Sequence, residues 1–295
     1  MNLCGGDSNI FDQEYPDSPE VAFLTSGRPY FDPDQLERFN PVEPKRVGSI
    51  EGEPIRGGSP LAFVANANGP LRIWSTPKPG REYILFADVA GKVTLDQHDA
   101  RPLESKADYC AASVCDRETG EEVAAYHAHI DPDLYGWDLA RLGWLYNGAM
   151  IAVENTGGYG TATIAVLYRQ LSYPNLYVQR ALNTQTGKWS ETIGFNTSES
   201  TRPVMLSTMR THLREHPEHF KDEGCKREAR VFVVHSNGKP AAASGAHDDR
   251  VMARAGCLEV WREHAQRPLR IQAKKQRVTK PAAGSLSSRA PRVTA

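Results

Sequence analysis

Several things are missing from this chain, and each absence narrows what it can be. Five cysteines are scattered at positions 4, 110, 115, 225 and 257. No two have zinc-type spacing, and Cys110 and Cys115 would fall on opposite faces of one strand. An odd set of dispersed thiols fits reduced chemistry and a cytoplasmic location. No apolar run approaches membrane-spanning length, and the N-terminus lacks a signal-peptide core, so a soluble protein without membrane contact is expected. No G-x-x-x-x-G-K-[ST] segment occurs, which leaves no recognisable nucleotide-hydrolysing loop. The stretch from 266 onward has no Asp or Glu but carries Arg267, Arg270, Lys274, Lys275, Arg277, Lys280, Arg289 and Arg292. Such a tail is either a nucleic-acid contact or a solvated, disordered end, and its Pro, Ala, Ser and Gly content suits disorder. The formal net charge of -1 conceals this asymmetry, because the opening residues lean acidic.

Proline-free stretches are short through residue 77, with Pro16, Pro19, Pro29, Pro33, Pro41, Pro44, Pro54, Pro60, Pro70 and Pro77 at close intervals. That density predicts an irregular segment over 1–80. A folded domain is expected over 81–265, followed by the basic tail over 266–295. Within it, strands are predicted at 83–90, 109–116 and 122–130, the last two joined by a turn at Arg117-Glu-Thr-Gly120. Asp131-Pro132-Asp133 opens a helix that runs to about 146. A strand at 149–154, a helix near 161–170 and a strand at 175–180 follow. Residues 200–216 read as an amphipathic helix, and Asn237-Gly238 as the turn of a hairpin. A last helix spans about 248–264. Three antiparallel strands, a helix, a parallel strand and further helices describe an α/β chain. The predicted fold class is a ribonuclease H-like mixed sheet with helices on both faces.

Three acidic positions stand out against this frame. Asp88 ends the apolar run Tyr83-Ile-Leu-Phe-Ala-Asp88, and Glu154 ends Met150-Ile-Ala-Val-Glu154. Asp248 and Asp249 open the last helix. An isolated carboxylate at the tip of an apolar strand loses hydration and needs a partner. Two carboxylates about 4 Å apart repel by about 4 kcal/mol at an effective dielectric of 20. Two magnesium or manganese ions held between them would remove that repulsion and supply phosphodiester hydrolysis. Asp88, on the central strand, is the expected bridging ligand, with Glu154 on one ion and Asp249, with Asp248, on the other. Asp108, directly before a strand, is a further candidate ligand. Plainer readings exist for each: Asp248 as a helix cap, Asp249 as a first-turn acid, Glu154 as a solvated strand end. Asp88 resists such a reading. Asn155-Thr-Gly-Gly-Tyr-Gly160 precedes a helix and could offer N–H groups to a DNA phosphate. It lacks the third glycine of a dinucleotide fingerprint. His127 and His129 share a strand face, where surface or core roles are more usual than metal binding, and His247 reads as support for the helix start.

These residues carry a family resemblance. Phe86-Ala-Asp88-Val-Ala-Gly91, Asp108-Tyr-Cys-Ala-Ala-Ser-Val114, Ile130-Asp-Pro-Asp133, Leu145-Tyr-Asn147, Val153-Glu154-Asn155, Thr201-Arg-Pro203 and Gly245-Ala-His-Asp-Asp249 occur in order over 81–265. Together they resemble the C-terminal nuclease domain of the large terminase subunit of tailed bacteriophages. Glu14-Tyr-Pro-Asp-Ser-Pro19 and Ser26-Gly-Arg-Pro-Tyr-Phe-Asp32 resemble the segment that follows the packaging ATPase in such proteins. The resemblance implies an endonuclease that cuts concatemeric viral DNA, with divalent metal at Asp88, Glu154, Asp248 and Asp249. It implies double-stranded DNA, the small terminase subunit and the portal as partners. Because no ATPase motif is present, a separate packaging ATPase is implied too. The loop between Gly91 and Asp108 is longer than the family's short turn, which loosens the assignment of Asp108. Other readings are a junction resolvase, a transposase-like nuclease, or an inactive prophage remnant that only binds DNA or portal.

Overall fold

Alternation along residues 83–88 sets the layering of the molecule. In a computed structural model, which describes residues 28–55, 59–90, 109–183 and 187–264, strand β5 spans Tyr83–Asp88. Tyr83, Leu85 and Ala87 enter one hydrophobic core, and Ile84 and Phe86 enter a second on the opposite face. A strand buried on both faces needs a nearly continuous apolar run, and this one has it.

The elements before β5 are β1 (Arg28–Pro29), α1 (Pro33–Arg38), β2 (Arg46–Glu51), β3 (Ala62–Ala65) and β4 (Leu71–Ile73). After it come β6 (Cys110–Asp116), β7 (Glu122–Ala128), α2 (Pro132–Leu145), β8 (Met150–Val153) and α3 (Thr161–Ala165), the last extended by a π-helical turn over Val166–Gln170. Then follow β9 (Val178–Asn183), β10 (Lys188–Ile193), α4 (Thr201–Glu215), α5 (Glu223–Arg230), β11 (Phe232–Val234), β12 (Pro240–Ala242) and α6 (Asp249–His264).

Seven strands form the main sheet in the order β3-β2-β4-β7-β6-β5-β8. All neighbours are antiparallel except β5 and β8, which run parallel with Ala87 beside Val153. The β7-β6-β5-β8 portion, three antiparallel strands and then one parallel to the first, is the ribonuclease H-like arrangement. Helix α2 covers one face through Tyr135, Leu139 and Leu142. Helices α4 and α6 cover the other through Met205, Met209, Val251, Ala255 and Leu258. At the crossing of α6 over β5, a Cβ on Gly256 would lie 2.4 Å from the Phe86 ring. Only glycine allows that approach, and it draws the start of α6 toward the end of β5.

Three expectations need correction. Residues 46–73 are not irregular: they supply β2, β3 and β4, which extend the sheet from β7 outward. The prolines sit between the strands, at 44, 54, 60, 70 and 77, so their density delimits short strands instead of preventing them. The expected strand at 175–180 contributes one parallel bridge, Ile151 to Leu176, before the chain leaves the sheet. It then forms a separate hairpin of β9 and β10, with Trp189 68% exposed at its surface. Helix 161–170 divides into an α and a π part, where Leu171 N–H reaches back to Val166 O. The loop 91–108, with Asp108, and the tail 266–295 lie outside the described residues. Among the described residues, no helix is long and apolar enough to cross a membrane.

Candidate active site

Parity along two neighbouring strands aims two acids the same way. Asp88 follows Ile84 and Phe86 at two-residue spacing, and Glu154 follows Met150 and Ala152, all of which face α4 and α6. The parallel register puts Glu154 next to Asp88, and Glu154 N–H donates to Ala87 O at 2.8 Å. The Thr156 hydroxyl lies 3.0 Å from Glu154 Oε1 and accepts from Thr197 N–H at 2.8 Å. That contact fixes one carboxylate oxygen of Glu154. The glycine-rich turn makes this geometry possible, because a Cβ on Gly160 would meet Glu154 O at 2.1 Å.

The third and fourth acids arrive with α6. Asp248 precedes the helix, and its backbone carbonyl accepts from Met252 N–H at 2.8 Å. Its carboxylate pairs with Arg202 of α4 at 3.2 Å. Asp249 is the first helical residue and is 9% exposed. His247 Nδ1 lies 3.7 Å from its Oδ2.

The electrostatics tie these groups together. Asp88 is held well above the usual carboxylate range, first by burial, then by the charges of Glu154 and Asp249. A hydrogen bond to Glu154 and the more distant Asp248 push the same way. An ionised carboxylate at Asp88 is therefore disfavoured next to Glu154. Among the described residues, no ion pair reaches either of the two. Crowded carboxylate oxygens are the donors that hard divalent ions bind. All-oxygen donors of this kind suit a hard divalent cation, with Asp88 in electrostatic reach of Glu154, Asp249 and Asp248.

Two groups around the cluster were not anticipated. Glu228 of α5 accepts from Arg250 N–H at 2.8 Å and Val251 N–H at 3.2 Å, capping the first turn of α6. Burial, partly offset by Arg250, pushes its carboxyl up to about 8. Arg250 itself pairs with Asp222 at 2.6 Å. Neither contact has a sequence signal beyond Asp222 as a helix cap, since both depend on how α5 meets α6. The histidines form an aromatic stack instead of a metal pair. Tyr109 stacks on His127 at 4.2 Å and on His129 at 3.5 Å, and meets His247 edge-on at 5.5 Å. Burial holds His127 neutral, pushed down to about 3. Tyr109, His127, His247, Arg227 and Arg250 line a cleft of about 320 Å³ beside the acids.

No family model and no curated protein matches the chain. Among solved structures, the chain is similar to large terminase nucleases of bacteriophages. The magnesium-bound large terminase nuclease of thermophilic phage G20c is 16% identical, with a TM-score of 0.46, over 79% of this chain and 97% of that one. Its cobalt-bound form is 15% identical with a TM-score of 0.47 over 79% and 97%. The large terminase nuclease domain of Thermus phage P74-26 is 15% identical with a TM-score of 0.41 over 76% and 91%.

Proposed function

We propose that this chain is a divalent-metal-dependent DNA endonuclease, the nuclease module of a phage terminase. The observation that supports it most is that Glu154, Asp249 and Asp248 all act electrostatically on the buried Asp88. The ordered motifs over 81–265 support the terminase assignment, and with it concatemeric viral DNA as substrate. The small terminase subunit, the portal and a packaging ATPase are the proposed partners.

Asp88, Glu154, Asp248 and Asp249 are the proposed ligands, with Asp108 as a candidate fifth. When bound, two magnesium or manganese ions supply charge neutralisation at the phosphate and a water of lowered pKa. Asp88 would contribute a carboxylate fixed at the end of a buried strand. Glu154 is oriented by the Thr156 hydroxyl. Asp249 is held by the first turn of α6, and Arg202 restrains Asp248. Exposed Arg227, at the border of the cleft, offers a charged donor to a phosphate backbone.

Incubation with supercoiled plasmid, in manganese, magnesium or chelator, tests the proposal. Metal-dependent nicking and linearisation, lost in Asp88→Asn, is the expected result. Cutting that persists in chelator or in Asp88→Asn overturns it. A four-way junction cut in preference to linear duplex would move the assignment from terminase to resolvase.

A further inference from the structure

A second cluster of donor atoms lies at the other end of the sheet. Helix α4 ends with His212 and His216 one turn apart, and Pro217 forces a tight turn over Pro217–His219. The turn brings His216, Glu218 and His219 together, with one ligand atom from each within 4.8 Å of the others. Glu218 Oε1 is 3.4 Å from His216 Nδ1 and 3.7 Å from His219 Nε2. A tetrahedral zinc ion with bonds of about 2.0–2.1 Å needs donor atoms about 3.3–3.4 Å apart. The cluster is therefore close to that spacing before any ion enters.

A buried neighbour sets the orientation of one imidazole. His212, 5% exposed, has its Nε2 3.2 Å from His219 Nδ1. With His219 Nδ1–H donating, the lone pair of His219 Nε2 is left facing Glu218. Metal-binding histidines are usually oriented in this way, by a hydrogen bond on the opposite ring nitrogen. His212 in turn packs edge-on against Trp261 at 5.1 Å, so its ring is fixed by the helix that starts at the acids.

We propose that His216, Glu218 and His219 form a zinc-binding site, oriented by His212, with water in the fourth position. Two imidazoles and one carboxylate suit zinc, whereas the all-oxygen cluster at Asp88 suits magnesium or manganese. The ion would tie the last turn of α4 to the turn that leads into α5. The site makes no use of the nuclease acids and stands or falls separately from them.

Cobalt is the probe, because a tetrahedral cobalt site absorbs strongly in the visible and an octahedral carboxylate site only weakly. Untagged protein carrying Asp88→Asn is titrated with Co2+. One equivalent of intense absorption is expected, lost when His216→Ala and His219→Ala are added while the far-ultraviolet circular dichroism is unchanged. His216→Gln with His219→Gln serves if the alanine pair does not fold. His212→Phe keeps volume but removes the acceptor, and should weaken cobalt binding about 10- to 100-fold. Absence of the band, or a band that survives loss of both histidines, overturns the proposal.

Discussion

Asp116 and Asp88 sit at opposite ends of one antiparallel pair, Asp116 beside the first residue of β5 and Asp88 at its last. Around Asp116 every charge has an opposite. Arg81 Nε lies 3.2 Å from its carboxylate, Glu118 N–H donates to it at 2.8 Å, and Arg81 also pairs with Glu118. Arg117 pairs with Glu82 and donates to His264 O at 2.7 Å, tying the end of α6 to the sheet. The buried Glu122 accepts from Ser113, Lys221 N–H and Asp222 N–H. Around Asp88 the neighbours are acids, and with burial they disfavour its charge. One end of the sheet spends its charges on holding the fold. The other tolerates mutual repulsion of a kind that costs folding stability and suits a site that recruits cations.

Substitutions at the two ends should therefore separate activity from stability. Asp88→Asn is expected to lower the cleavage rate on the order of 1,000-fold, the scale of losing a principal electrostatic group in a site. The melting temperature of the metal-free protein should hold or rise, because one repelling carboxyl has gone. Single-turnover cleavage and a thermal melt on the same sample check both halves. A large drop in melting temperature would mean that Asp88 serves the fold.

Arg117→Ala should do the reverse. It strips a charged donor from His264 O and from Glu82, for a loss of about 2 kcal/mol in urea unfolding. Cleavage by the folded fraction should stay within about twofold of wild type, a change worth under about 0.5 kcal/mol. A strong effect on cleavage would show that the two ends are coupled through α6. Arg202→Ala sits between these cases. Its pair with Asp248 is about a third exposed, so stability should change by at most about 1 kcal/mol. The manganese concentration for half-maximal cleavage should shift by a few-fold, since Asp248 is released and not removed. An unchanged midpoint would take Asp248 out of the site.

A further expected effect is one of pH. His127 and His212 are both held neutral by burial, each pushed down to about 3 from an ordinary value near 6.5. Their folded pKa lies below the unfolded one, so protons bind the unfolded chain more readily between those values. Stability should thus fall as pH drops from about 6.5 toward 3. His127→Phe should flatten part of that slope in melts recorded across the range. An unchanged slope would contradict the neutral, stacked state of His127.

The layout of the acid end could be read from sequence because it follows short-range rules. Two-residue alternation over 83–88 and 150–154 puts Asp88 and Glu154 on one face, and a helix start is where Asp248 and Asp249 belong. The close approaches of Gly160 to Glu154 O and of Gly256 to the Phe86 ring had no sequence signal. The other end was opaque. The pairs Arg81–Asp116 and Arg117–Glu82, and the reach of Arg117 to His264, depend on how strand ends and α6 meet in space. Glu228 was missed for the same reason, as its partners are the backbone of another helix. Strands β2 to β4 were hidden because proline was read as a breaker of structure when here it marks the gaps between short strands. The β9–β10 hairpin was missed because its exposed faces lack the apolar alternation that betrays a half-buried strand.

Cations gathering at Asp88, Glu154 and Asp249 are the centre of this reading. Crystals soaked in manganese, with anomalous data collected at the manganese edge, would test this most directly. The account predicts anomalous peaks between Asp88, Glu154 and Asp249 in the wild-type protein, reduced or absent in Asp88→Asn. A map with no peak at these carboxylates, in crystals whose soaked protein cuts DNA, would contradict it.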